Sequence, residues 1–199
     1  MLRALIIGIT TLVVATPDFR PQVRLPAAWP LHSVIAVWLD LRGAPPGAGS
    51  LVDRALAAWT RAADGRLTLR ATNARDEARI RVRFASADGI YGEAAPRIDR
   101  ATGHIESAEV IITGDVGGDA VQQRIVIYLT ALHELGHALG LPHTDAFDDI
   151  MYSFRRPDDG ERYFGAYRRR LRSSDDIGTE RATGFSPADL TALKALYDR

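Results

Sequence analysis

Three of the chain's five histidines fall within one run of eleven residues, His133-Glu134-Leu135-Gly136-His137-Ala138-Leu139-Gly140-Leu141-Pro142-His143. On an α-helix, residues four apart lie on nearly the same face, about 6 Å apart along the axis at ~1.5 Å per residue. His133 and His137 can therefore converge on one ion at metal–nitrogen distances of roughly 2.0–2.1 Å. Glu134 sits on the flank of that face, placed to hold a water at the metal rather than to coordinate the metal itself. Gly140 stands where a helix commonly ends in a left-handed residue, which glycine adopts without a Cβ clash. Pro142 stops the helix from resuming, so the chain can bring His143 back as a third ligand.

This pattern, H-E-x-x-H-x-x-G-x-x-H, resembles the zinc-binding signature of the metzincin metalloproteases. Asp149-Ile150-Met151-Tyr152 resembles the methionine turn that follows it in that family. The tyrosine after the methionine, and the ending from Phe185-Ser186-Pro187-Ala188-Asp189-Leu190 through Leu196-Tyr197, look most like the matrixin branch. The resemblance implies an α+β metzincin catalytic domain. Its parts would be a twisted, mostly parallel sheet with one antiparallel edge strand, two long helices, and a small C-terminal subdomain with a final helix. It also implies one catalytic Zn²⁺ on His133, His137 and His143, with Glu134 as the catalytic base and Met151 as an apolar floor. The function expected is secreted, zinc-dependent endopeptidase activity on protein or peptide substrates, with Glu134 activating water at the zinc. The alternative is a catalytically silent metzincin-fold binding module, against which stands the presence of every ligand and of the base.

Composition narrows the remaining classes. Lys+Arg and Asp+Glu balance at 25 each, so no global charge favours nucleic acid or an anionic membrane surface. Cysteine is absent, which excludes disulfides, thiol chemistry and a cysteine-based propeptide latch. Residues 1–15 read as a cleavable signal peptide: Met1-Leu2-Arg3 is a short basic start, Ala4 to Ala15 is mostly apolar, and Val13-Val14-Ala15 suits cleavage after Ala15. That apolar run falls short of the ~20 residues that a bilayer span needs, so stable membrane insertion is not expected. Residues 16–32, with Pro17, Pro21, Pro26 and Pro30, read as a linker or surface strap. Residues 33–199 are the catalytic domain, expected as a monomer.

The elements that must position the histidines follow from periodicity. Ser33 to Asp40 is a candidate buried strand, and Gly43 to Gly49 a loop. Ser50 reads as the cap of a first helix carrying Val52, Leu56, Trp59 and Ala63 on one face, ended by Gly65. Leu67 to Leu69 is a short strand. Ile80, Val82 and Phe84 alternate with arginines to give a strand buried on one face. Gly89 to Pro96 matches the edge strand that bounds the cleft by resemblance, so Gly92, Glu93 and Ala94 are candidate substrate-binding residues. A substrate can add there as a further strand, until Pro96 fails to offer an N–H. Ile105 to Thr113 is another strand.

The active helix is expected from about Ala120 to Leu139 with Asp119 as its cap, its apolar stripe aiming the histidines. His32 and His104 read as surface residues. Asp115 and Asp119 could ligate Ca²⁺ through oxygen, although solvated loop aspartates are the commoner case. After Met151, the arginine-rich stretch 155–172 reads as a solvated loop, in the region that walls the pocket for the residue after the scissile bond in the family resembled. Ser186-Pro187-Ala188-Asp189 has the cap, proline and acid of a final helix, with Leu190, Leu193 and Leu196 or Tyr197 facing inward.

Overall fold

In β3 (Ile80–Ala85), Ile80, Val82 and Phe84 are buried while Arg83 is exposed, the period-2 pattern of a strand with one face in a core. The computed structural model describes residues 27–85 and 91–198. Around β3 assemble β1 (Ser33–Asp40), β2 (Leu67–Thr72), β4 (Gly92–Ile98) and β5 (Ile105–Thr113) in the order β2-β1-β3-β5-β4. All neighbours pair in parallel except β4, which runs antiparallel to β5 and forms an edge. The expected α+β architecture is thus present.

Two long helices, α1 (Ala48–Ala63) and α2 (Ala120–Ala138), pack on each other and on the sheet. Trp59 of α1 is fully buried, and its indole N–H donates to the Leu132 carbonyl of α2 at 2.8 Å. Burying a side chain such as Leu132 or Leu135 stabilises the fold by about 1.5–3 kcal/mol each, so the seam between the helices is a major part of the core. The lower part carries α3 (Asp159–Arg170) and α4 (Pro187–Tyr197).

Several sequence expectations need correction. The first helix starts at Ala48, capped by Gly47 at φ +78°, and Ser50 instead donates its hydroxyl to the Gly47 carbonyl at 2.8 Å. The stretch 155–172 is not a loop. Its centre is α3, which buries Phe164 and Tyr167 and carries Asp159 and Glu161 in its first turn and three arginines in its last. That charge order suits the helix dipole. Phe164 and Tyr167, three apart among the arginines, supply the buried face of α3. Leu190 is 36% exposed, while Leu193, Leu196 and Tyr197 face inward. Residues 1–15 and 16–26 lie outside the described residues. Of the expected strap, 27–32 is described, and Trp29 is buried, with its indole N–H on the Ala138 carbonyl at 2.8 Å.

Candidate active site

α2 places its histidines through core packing. Asp119 caps the helix by accepting the Gln122 N–H at 2.8 Å, as expected. Leu132, Leu135, Ala138 and Leu139 are completely buried, which leaves His133 and His137 on the opposite, cleft-facing side. The helix ends as the glycine implied. Gly140 takes φ +101°, its N–H bonds the His137 carbonyl at 2.9 Å, and the Leu141 N–H reaches the Gly136 carbonyl at 3.0 Å. A Cβ at Gly140 would also lie 2.1 Å from the Ala27 carbonyl oxygen, so glycine is required there for space as well as for conformation. From this end the chain returns His143 to the first two histidines.

The three imidazoles converge. The His143 Nε2 lies 3.2 Å from the His133 Nε2 and 3.0 Å from the His137 Nε2. Their opposite nitrogens face backbone oxygen: His133 Nδ1 the Ile150 carbonyl at 2.6 Å, His137 Nδ1 the Leu141 carbonyl at 2.8 Å. A carbonyl only accepts, so both Nδ1 atoms carry the proton and both Nε2 lone pairs point at the shared centre. One proton on His143 satisfies one of those lone pairs; a cation satisfies all three. Ligands at ~2.0–2.1 Å in tetrahedral array stand roughly 3.3 Å apart, close to the separations seen. The residues present therefore fit a zinc ion, with the carbonyl contacts fixing the tautomers that a ligating histidine needs. Burial, followed by the neighbouring imidazoles, holds His133 down at about 4, and burial also lowers His137. Both rings are accordingly neutral at pH 7. Among the described residues, this triad is the one group of histidines and acids close enough together to hold a metal.

Beneath the triad lies the turn Asp149–Tyr152. Met151 is buried, and a Cβ on Gly136 would sit 2.4 Å from its sulfur, so the glycine between His133 and His137 is the socket for the methionine. The turn is fastened to α4. Asp189, third residue of a capping box with Ser186, accepts both the Ser186 N–H at 2.7 Å and the Ile150 N–H at 2.9 Å. Ser186 in turn donates its hydroxyl to Asp149 at 2.7 Å. The Ile150 peptide is thus held on one side by Asp189 while its carbonyl holds His133 on the other. Burial, opposed by these bonds, leaves the Asp189 carboxyl above its ordinary range. Sequence reasoning found Asp189 only as a helix cap. Its reach to the methionine turn crosses 39 residues of chain and has no local signal.

Glu134 is buried beside the triad, and among the described residues no side chain of opposite charge pairs with it. Burial, with a smaller push from the Glu93 charge, raises its carboxyl to about 7, a value suited to taking and giving a proton near neutral pH. Gly92 lies over it: a Cβ there would come within 2.7 Å of Glu134 Cγ and of Thr130 Cγ2. The Tyr91 carbonyl accepts the Thr113 N–H of β5 at 2.8 Å. Backbone groups alternate along a strand, so those of Gly92 and Ala94 face the open edge, as does the N–H-less Pro96. Gly92, Glu93 and Ala94 all line a groove that runs past Ile98, Ile105 and Leu141 to His137 and His143. On the other side of Glu134, a cavity of about 280 Å³ is bounded by Leu129, Ile150, Tyr152 and Tyr163.

The remaining candidates lie apart from this centre. His32 bonds the Gly65 carbonyl at 3.0 Å and His104 the Ala28 carbonyl at 3.2 Å, both exposed. Asp119 is engaged as a helix cap and pairs with Arg168 at 2.9 Å. The arginines of α3 turn outward, Arg162 to Asp159 at 3.5 Å and Arg170 to Asp148 at 3.9 Å. No curated protein matches the chain. The peptidase M10 matrixin family model matches residues 47–176. A match of that extent, running from α1 through the histidine helix and the methionine turn to α3, places the chain in the matrixin family.

Proposed function

We propose that the protein is a secreted zinc endopeptidase, with His133, His137 and His143 as the zinc ligands and Glu134 as the catalytic base. The family is one of zinc metalloendopeptidases, which gives the coarse class. What carries the assignment to these residues is the approach of the His133 and His137 Nε2 atoms to the His143 Nε2, at 3.2 and 3.0 Å, beside the buried Glu134 carboxyl. Zinc in such a site supplies Lewis-acid polarisation of the scissile carbonyl and makes water more acidic. Glu134 takes the proton of the attacking water and passes it to the leaving amine. The open backbone groups of Gly92 and Ala94 hold the substrate as an added strand, orienting its carbonyl toward the histidines. Gly92 leaves Glu134 room to swing between the two proton positions. Met151 and Asp189 act from below by fixing the Ile150 peptide, and through it the His133 ring.

Export is part of the proposal and rests on the residues 1–15 reading. No helix among the described residues is long and apolar enough to cross a membrane. Protein or peptide substrates suit a groove whose wall is an open strand edge, and a single chain contains the whole constellation. The test is hydrolysis of an unfolded protein by the chain from Thr16 onward, beside Glu134→Ala and beside wild type with a zinc chelator. Cutting by untreated wild type alone, with Glu134→Ala still binding one zinc per chain, supports the reading. Equal cutting by wild type and Glu134→Ala overturns it. Zinc bound without any turnover favours the silent binding module.

A further inference from the structure

The cavity beside Glu134 is closed by rings that also face a second space. Tyr91, Phe154 and Phe164 line the 280 Å³ cavity, and the same three line a separate outer groove between α3 and the loop around Asp115, with Arg156 and Arg169 on its rim. They pack edge to face, with centroids 5.8 Å apart for Tyr91–Phe154, 4.9 Å for Tyr91–Phe164 and 5.8 Å for Phe154–Phe164. The wall between the two spaces is one layer of rings thick.

The members of this wall are not held equally. Phe164 is a core residue at 3% exposure. Tyr152 and Tyr163, deeper in the cavity, are fastened through their hydroxyls to Asp159 at 2.8 Å and to the Asp149 carbonyl at 2.9 Å. Tyr91, like Phe154, is 38% exposed. Its backbone is tied to Thr113, and its hydroxyl end rests where α3 has no side chain: a Cβ on Gly160 would lie 2.6 Å from the Tyr91 oxygen. It also directly precedes Gly92, whose backbone covers Glu134, so a shift of its ring changes the pocket next to the reacting atoms.

We propose that Tyr91 is a specificity-determining residue of this cleft, its ring setting the depth of the pocket that receives the substrate side chain following the scissile bond. With the ring seated on Gly160, the pocket takes one apolar side chain up to about the size of phenylalanine and turns away longer ones. Beyond Glu134, the histidines, Thr130 and Ser153, the lining is apolar or aromatic and offers no charge partner, so charged side chains are disfavoured as well. Without the ring, the pocket and the outer groove become one space. This inference rests on the peptidase reading above.

The experiment is kcat/KM on peptides identical except for alanine, leucine, phenylalanine or 4-phenylphenylalanine after the scissile bond, with wild type, Tyr91→Leu and Gly160→Ala. Wild type is expected to prefer leucine and phenylalanine over 4-phenylphenylalanine by about tenfold or more, the range in which pocket size discriminates. Tyr91→Leu should raise the 4-phenylphenylalanine to leucine ratio about tenfold while changing the alanine peptide little. Gly160→Ala should drive the ring into the pocket and lower the phenylalanine to alanine ratio. The alanine peptide and a thermal melt report whether each variant is folded and competent. An unchanged ratio in a folded Tyr91→Leu overturns the inference and leaves the peptidase reading standing. If Tyr91→Leu does not fold, an unchanged phenylalanine to alanine ratio in Gly160→Ala overturns it instead. Failure of wild type to cleave any of the four overturns both.

Discussion

The two walls of the cleft are built from different materials. On the chemical side, the C-terminal half of α2, the methionine turn and the start of α4 are joined by buried hydrogen bonds and core packing. On the pocket side, the inner face of α3 is also anchored by buried groups, with Tyr163 on the Asp149 carbonyl at 2.9 Å and Tyr167 on the Ala182 carbonyl at 2.5 Å, whereas its outer face is joined by ion pairs in solvent, such as Arg168–Asp119 with side chains 42% and 58% exposed. Buried hydrogen bonds are expensive to break because the partner left behind stays desolvated. Solvated ion pairs exchange readily with water and salt. The residues proposed to react therefore stand on elements tied together by buried hydrogen bonds. The outer face of α3 is the part that sequence change alters most cheaply.

The largest effect is expected at Asp189. Asp189→Ala strands the Ile150 and Ser186 N–H groups and breaks the reciprocal half of the capping box, an expected loss of about 2–4 kcal/mol. A thermal melt should show a Tm lower by roughly 5–15 °C for a domain of this size. A drop of a degree or two would mean that the turn is not held from α4. Gly136→Ala tests the same wall through packing, because the new methyl meets the Met151 sulfur. Overpacking of this kind costs about 1–3 kcal/mol, readable as a lower urea midpoint with unchanged slope.

Charge buried on the chemical side gives a pH signature in the metal-free protein. Glu134 has its carboxyl raised from the ordinary 4.5 to about 7 by burial, then by Glu93. A raised pKa means that the folded state binds the proton more tightly than the unfolded. Its stabilising contribution is complete below about pH 4.5 and is lost as pH rises through about 7. Metal-free Glu134→Gln should accordingly gain about 3 kcal/mol over metal-free wild type at pH 8, and no such gain at pH 4. Denaturant unfolding at the two pH values checks it, and parallel curves would sink the burial argument. The smallest effect belongs to the other wall. Arg168→Ala should cost under about 1 kcal/mol, and less again in high salt. A loss as large as that of Asp189→Ala would erase the distinction between the walls.

Much of this was legible before any coordinates. Spacing alone made His133 and His137 neighbours, Gly140 and Pro142 announced the reversal that returns His143, and Ser186-Pro187-Ala188-Asp189 announced the last helix. These signals are local, because capping, φ preference and helical periodicity act within a few residues. The start of α1 was misplaced because Ser50 looks like a cap, and Gly47, with no side chain to offer, does not. α3 was missed because its arginines outweighed Tyr163, Phe164 and Tyr167 in a reading by composition.

The chain by itself determined the candidate ligands and candidate base, the strand-and-helix order apart from α3, and the exclusion of thiol chemistry, since each depends on residue types at short separation. Only the tertiary structure decided that Asp189 supports the Ile150 peptide, that Gly136 and Gly92 are hollows for Met151 and Glu134, and that Tyr91 rests on Gly160. Those contacts join residues tens of positions apart. Their geometry depends on how helices and strands pack against each other, and no local preference encodes that.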